Sequence, residues 1–132
     1  DLAVNGNIIA VADLMKSICL LEYNPGKDGV QGELIEVARH FQMSWATAVS
    51  HIDGDTFLEG DGDGNLTVLR RNAAGVTLED RQRMEVTSEM NIGEMVNKIR
   101  KIDIETSSRA IVVPRAFLAT VSPPFEHMIL RL

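Results

Sequence analysis

The densest set of oxygen donors in this chain is the acidic glycine run from Asp53-Gly54-Asp55 to Asp61-Gly62-Asp63-Gly64-Asn65. Alternate carboxylates in a tight loop are what calcium requires. With Asp61 as the first ligand, Asp63 and Asn65 suit the third and fifth places. Leu66 then stands where the loop needs glycine, and Asn72 where it needs a bidentate glutamate. The run therefore reads as a hairpin turn, with a calcium-binding β module as an alternative. The histidines, His40, His51 and His127, form no i, i+4 pair and have no Cys or Glu at zinc-ligand spacing. Separate strands can bring His40 and His51 together, but an ordinary loop or strand role is the expectation. Cys19 lies in the apolar run Ile18-Cys19-Leu20-Leu21, without the polar setting that makes a thiol a nucleophile. No Gly-x-Ser-x-Gly elbow, P-loop or dinucleotide glycine fingerprint occurs. These residues point to no enzyme, no cofactor and no metal.

Charge narrows the partners. Thirteen Lys and Arg against 19 Asp and Glu give a net charge of -6, so the average field repels phosphate. The densest basic stretch, Lys98-Ile99-Arg100-Lys101, reads as the solvated face of a strand, and direct nucleic-acid binding is not expected. A lone cysteine inside an apolar run is a small buried hydrophobe and fits a reducing compartment. No apolar stretch approaches the roughly 20 residues needed to cross a bilayer, and no basic segment followed by an apolar one opens the chain. A start at Asp1 without Met is expected of a segment taken from a longer protein. Asn65-Leu66-Thr67 matches a glycosylation sequon but falls in an apparent hairpin, and is read as coincidence.

The elements that must carry these residues are short strands. Runs at Asn7 to Ala12, Ser17 to Tyr23, Glu33 to Arg39, Ala46 to Ile52, Thr56 to Glu59 and Asn65 to Arg70 have β-type composition. Met95 to Ile102 and Ala110 to Val121 follow. Between the runs stand turn residues that tolerate positive φ, such as Asn5-Gly6-Asn7 and Asp53-Gly54-Asp55. One short helix is predicted, with Thr77 as N-cap and Glu79 and Asp80 in its first turn, leading to Met84. Placing Asn7 over Asp55 aligns Ile9 with Phe57, Ala12 with Gly60, Asp13 with Asp61, Ser17 with Asn65 and Leu20 with Val68. A third copy begins at Phe117-Leu118-Ala119-Thr120. The intervals of about 48 and 60 residues are somewhat longer than the roughly 40 to 45 of a compact propeller blade.

The fold class is therefore all-β, a partial WD-like β-propeller of about three blades of antiparallel sheet with one short loop helix. A sandwich of unrelated hairpins is the alternative. The propeller is assigned to residues 1–121. Residues 122–132 are a non-matching C-terminal tail, because Ser122-Pro123-Pro124 stands where a return strand should begin and proline cannot donate to a ladder. Trp45, just before a strand, has two readings: an anchor for a partner at a loop mouth, or a core or inter-blade aromatic, which composition alone slightly favours. Three blades leave open sheet edges and no ring closure.

The order of several motifs resembles the C-terminal propeller of the large subunit of damage-specific DNA-binding protein, the adaptor of cullin-RING ubiquitin ligases. The resemblance rests on Asp13-Leu14-Met15-Lys16-Ser17 with Leu20-Leu21-Glu22-Tyr23, on Glu36-Val37-Ala38-Arg39 continuing to Trp45, on Asn65-Leu66 before an apolar strand, and on Gly93-Glu94-Met95-Val96-Asn97. It covers about residues 1 to 121. Related propeller subunits serve polyadenylation and splicing complexes, which leaves an RNA-processing role as an alternative. The resemblance implies a scaffold in which substrate receptors insert helices into a cleft between propellers of the parent chain. It implies nuclear and cytoplasmic residence, a link to the DNA damage response, and no membrane partner. Carried over by position, the protein-binding candidates are Lys16, Arg39, Trp45, Met95 and Asn97. Lys16 stands where Arg is common in the family and Met95 where Phe is common. Lysine keeps the charge without the bidentate fork, and methionine is the more adaptable side chain, so partner preference is expected to differ.

Overall fold

The computed structural model describes residues 1–102, 114–121 and 128–131. Its strands form three antiparallel sheets in chain order. The first sheet contains β1 (Leu2–Asn5), β2 (Ile8–Asp13), β3 (Ser17–Asn24) and β4 (Glu33–Arg39), laid side by side in that order. The second contains β5 (Ala46–Asp53), β6 (Thr56–Asp61), β7 (Asn65–Arg71) and β8 (Met84–Asn91) in the same arrangement. The third contains β9 (Val96–Lys101), β10 (Pro114–Thr120) and β11 (Met128–Arg131), with β10 between the other two. A helix, α1 (Leu78–Gln82), lies in the β7–β8 connection. Up-and-down sheets stacked in succession are the blades of a propeller, here in part.

The repeat seen in sequence is structural. β2 and β6 are each the second strand of their sheet, and β10 is the central strand of the third. Gly6 and Gly54 occupy equivalent first hairpins with φ of 61° and 47°, the left-handed region in which a Cβ would be strained. In the second hairpins, Asp13 accepts the backbone N–H of Met15 at 2.8 Å and Asp61 that of Asp63 at 2.9 Å. Each is an Asx turn built by an aspartate two residues before the amide it holds.

Two apolar layers join the sheets. Between the first and second sheets lie Ala10, Ala12, Ile18, Leu20, Ala38, Ala46, Val49, Phe57, Leu69 and Met84. Between the second and third lie Ala48, Ile52, Leu58, Leu66, Val96, Ile99, Ala116 and Leu118. The middle sheet therefore has both faces covered. Side chains alternate along a strand, so Phe57 enters one layer and Leu58 the other. A register shift between Ala46 and Ala48 moves β5 out of phase, sending Ala46 and Val49 to the first layer and Ala48 to the second. Gly60 is where β9 crosses: a Cβ there would stand 2.6 Å from Val96 Cβ and Cγ1.

The helix starts at its predicted cap. Thr77 accepts from Asp80 N and the Asp80 carboxylate from Thr77 N, a reciprocal capping box. It ends at Gln82, and Met84 already begins β8, a strand the composition does not reveal. β1 and β11 are likewise additions to the predicted set. β11 falls within residues 122–132 and returns along β10, with Phe117 opposite Ile129 and Leu118 opposite Met128. The expected strand from Ala110 to Val121 is seen from Pro114 to Thr120, and residues 110–113 lie outside the described residues. His127 and Ser122-Pro123-Pro124 also lie outside the described residues.

Candidate functional site

The ends of β2, β4, β6 and β8 and the starts of β3, β5, β7 and β9 gather one set of loops. Four of the five residues singled out in the sequence belong to this end of the sheets. Lys16 is exposed in the β2–β3 turn, Arg39 closes β4, Trp45 precedes β5 and Met95 precedes β9. Asn97 is exposed within β9, where the pairing with β10 shifts between Lys98 and Val96.

Trp45 is held at the surface. The residue is 61% exposed and belongs to neither apolar layer between the three sheets. Its backbone is fixed, because Gly62 N–H donates to the Trp45 carbonyl at 3.0 Å. Its side chain lies along Gly62, whose added Cβ would sit 3.8 Å from Trp45 Cβ and Cε3. The other flank of the same turn supports the β8–β9 connection. Ile92 N–H donates to Gly64 O at 2.8 Å, and the Asn91 amide donates to Asp63 O and Asn65 Oδ1. A single braced turn thus separates the loop bearing Trp45 from the loop bearing Met95.

That turn commits the first aspartate of the Asp61-Gly62-Asp63-Gly64-Asn65 run. One oxygen of Asp61 accepts from the backbone N–H groups of Asp63 and Asn65, and the other accepts from the Asn65 side-chain amide at 2.8 Å. The carboxylate is buried and committed to the hairpin, so the geometry supports the turn and not a calcium loop. Among the described residues, no group of three or more His, Cys, Asp or Glu side chains is placed to hold a metal ion.

Arg39 is already paired. Its Nε donates to Glu36 Oε1 at 2.8 Å and its Nη2 to Glu36 Oε2 at 2.7 Å, a bidentate pair on the sheet surface. This bond holds the Glu36 carboxyl below the usual carboxylate range, against an opposing effect of burial, with the Arg39 and Lys16 charges adding to it. Lys16 and Arg39 therefore belong to one charge cluster around Glu36. Burial pushes the Cys19 thiol up, only partly countered by Arg39, which keeps it an inert half-buried side chain.

Behind the loops is a buried polar group. Ser17 Oγ meets His40 Nδ1 at 2.9 Å, Glu59 Oε2 stands 3.5 Å from the same nitrogen, and the Ser44 hydroxyl donates to Glu59 Oε1. Serine, histidine and glutamate in contact suggest a nucleophile with its base. Both partners meet one ring nitrogen, however, and Ser17 is fully buried, so no proton can pass from hydroxyl to carboxylate through the ring and no substrate reaches Oγ. The trio instead ties the first sheet, the β4–β5 loop and β6 together. His51 lies apart from it, bonded to the Gly54 carbonyl at 2.9 Å.

Around Trp45 the structure exposes apolar residues that sequence reasoning does not single out. Leu14, Met15, Phe41 and Met43 are all largely in solvent, with Met15 at 70% and Met43 at 81%. Their one sequence signal is position: large apolar residues inside loops, where polar ones are usual. Apolar side chains grouped on loops that a sheet braces are unusual on a monomer's surface, where polar ones are the rule. Phe41, with Val86 and Met84, also lines a groove of 440 Å³ between the β4–β5 loop and β8.

Residues 1–129 match the protein family described as the CPSF A subunit region. The chain is 34% identical over 122 residues to DNA damage-binding protein 1 of Schizosaccharomyces pombe, a stretch covering 92% of this chain and 11% of that protein. It is 43% identical over 95 residues to DNA damage-binding protein 1b of Arabidopsis thaliana, covering 72% of this chain and 8% of that one. The corresponding figure for DNA damage-binding protein 1 of Solanum lycopersicum is 40%, with the same coverage. The chain spans only a small fraction of the length of these relatives.

Proposed function

Because this chain belongs to the CPSF A subunit region family, we propose that it is one wall of a non-catalytic, protein-binding scaffold in the DNA damage response. In this reading the intact protein is an adaptor of a cullin-RING ubiquitin ligase, active in nucleus and cytoplasm. The wall receives apolar helices of substrate receptors in a cleft formed with other propellers of the same protein. Relatives named for DNA damage binding support the pathway. The net charge of -6 supports protein and not DNA as the direct partner of this segment.

The observation that carries the proposal is the exposure of Trp45 on a fixed backbone. An aromatic residue whose backbone is already held by hydrogen bonds loses little freedom on binding, and tryptophan is among the commonest anchors of protein interfaces. Met15, Met43 and Met95 at the same end of the sheets are adaptable contacts, suited to receptors of differing sequence. Lys16 and the Arg39–Glu36 pair form a charged rim that orients a partner without a large energetic contribution.

Affinity purification of the intact protein from nuclear extract tests the assignment. Recovery of a cullin with receptor proteins is expected. Recovery of splicing or polyadenylation factors without a cullin contradicts it and favours the RNA-processing branch of the family.

A further inference from the structure

The basic stretch at the end of β9 has no place in the docking surface. It lines an open cavity of 400 Å³ bordered by β1, β5 and β9, the first strand of each sheet in chain order. Lys98, Arg100 and Lys101 all border this space, together with Asn5, Ser50 and His51, and the Asp1 carboxylate stands at its margin. Three of the chain's 13 Lys and Arg thus meet in one concavity of a protein whose net charge is -6.

Like charges held together repel, and a concave surface focuses their field. Asp1 answers part of it: its carboxylate pairs with Lys98 and accepts from Val49 N–H at 3.3 Å. Arg100 has no carboxylate at ion-pair distance among the described residues. Its guanidinium can take two oxygens of one oxyanion, and Lys98 and Lys101 add point charges. The volume is that of a small-ligand pocket, which ordinarily holds about 300–1,000 Å³.

We propose that this inner-strand cavity binds a small polyvalent oxyanion of the phosphate class through Arg100, Lys98 and Lys101. The site lies apart from the loops around Trp45, and its occupation does not depend on a protein partner.

The test is calorimetric titration of the intact protein with inorganic tripolyphosphate at low salt. Saturable binding is expected, weakening as salt rises because the contacts are ionic. Arg100→Gln should lower the affinity by about tenfold or more, the scale of a lost charge-assisted bidentate contact. Lys27→Gln, at an exposed loop position outside the cavity, should leave it unchanged. Should Arg100→Gln lower the melting midpoint without tripolyphosphate, Lys101→Gln replaces it with the same reading. Absence of heat at millimolar tripolyphosphate overturns the proposal. Binding equal in wild type and the cavity variant overturns it as well.

Discussion

Trp45 and Arg39 show how far residue type and neighbours diverge. The sequence marks both as protein-binding candidates, yet one stands open and the other is already paired. Exposure of a tryptophan cannot be read from its own type, which favours burial. It depends on Gly62, 17 places on, leaving room beside the ring. The Arg39–Glu36 pair has a pH signature. Because Glu36 is held below its ordinary value, the pair's stabilisation is full above the unfolded carboxylate pKa, about 4.3, and is lost as pH falls through the lower folded value. Arg39→Gln should therefore destabilise the fold near neutral pH, by under about 1 kcal/mol for so exposed a pair, seen as a small fall in the melting midpoint. The difference from wild type should vanish in acid, and a difference independent of pH would assign the effect to something other than this pair.

At the scale of elements, the hairpins are legible in the sequence and the outer strand is not. Asn5-Gly6-Asn7 and Asp53-Gly54-Asp55 announce their turns because only certain residues accept positive φ there. β8 gives no such signal because it is the outermost strand of its sheet. Only Met84 is buried, so the strand carries almost none of the apolar alternation that burial imposes. The small residue at Gly60 has a cause that no local pattern supplies: an inner strand of the next sheet passes over it. Gly60→Ala should destabilise the fold by about 1–3 kcal/mol, the usual cost of overpacking, seen as an earlier unfolding transition of the intact protein. An unmoved transition would show that β9 does not press on β6 as described.

Across the whole molecule, the repeat sets the architecture and the motif order points to the family, while the grouping of exposed apolar residues follows only from the three-dimensional stack. Leu14 and Met15 come from the β2–β3 turn and Phe41, Met43 and Trp45 from the β4–β5 loop, and only the stacking of the first two sheets brings both loops to one end. The basic stretch of β9 is similar: on its own a strand face, in the stack the wall of a cavity. Unpaired strand edges and an incomplete ring mean that such surfaces are best tested in the intact protein. The most direct measurement is the affinity of intact Trp45→Ala for a co-purified receptor, read beside its melting curve. The account predicts a loss of about 2 kcal/mol or more in binding with the melting midpoint nearly unchanged. Unaltered affinity, or a stability loss of about 3–5 kcal/mol as for a buried aromatic, would contradict it.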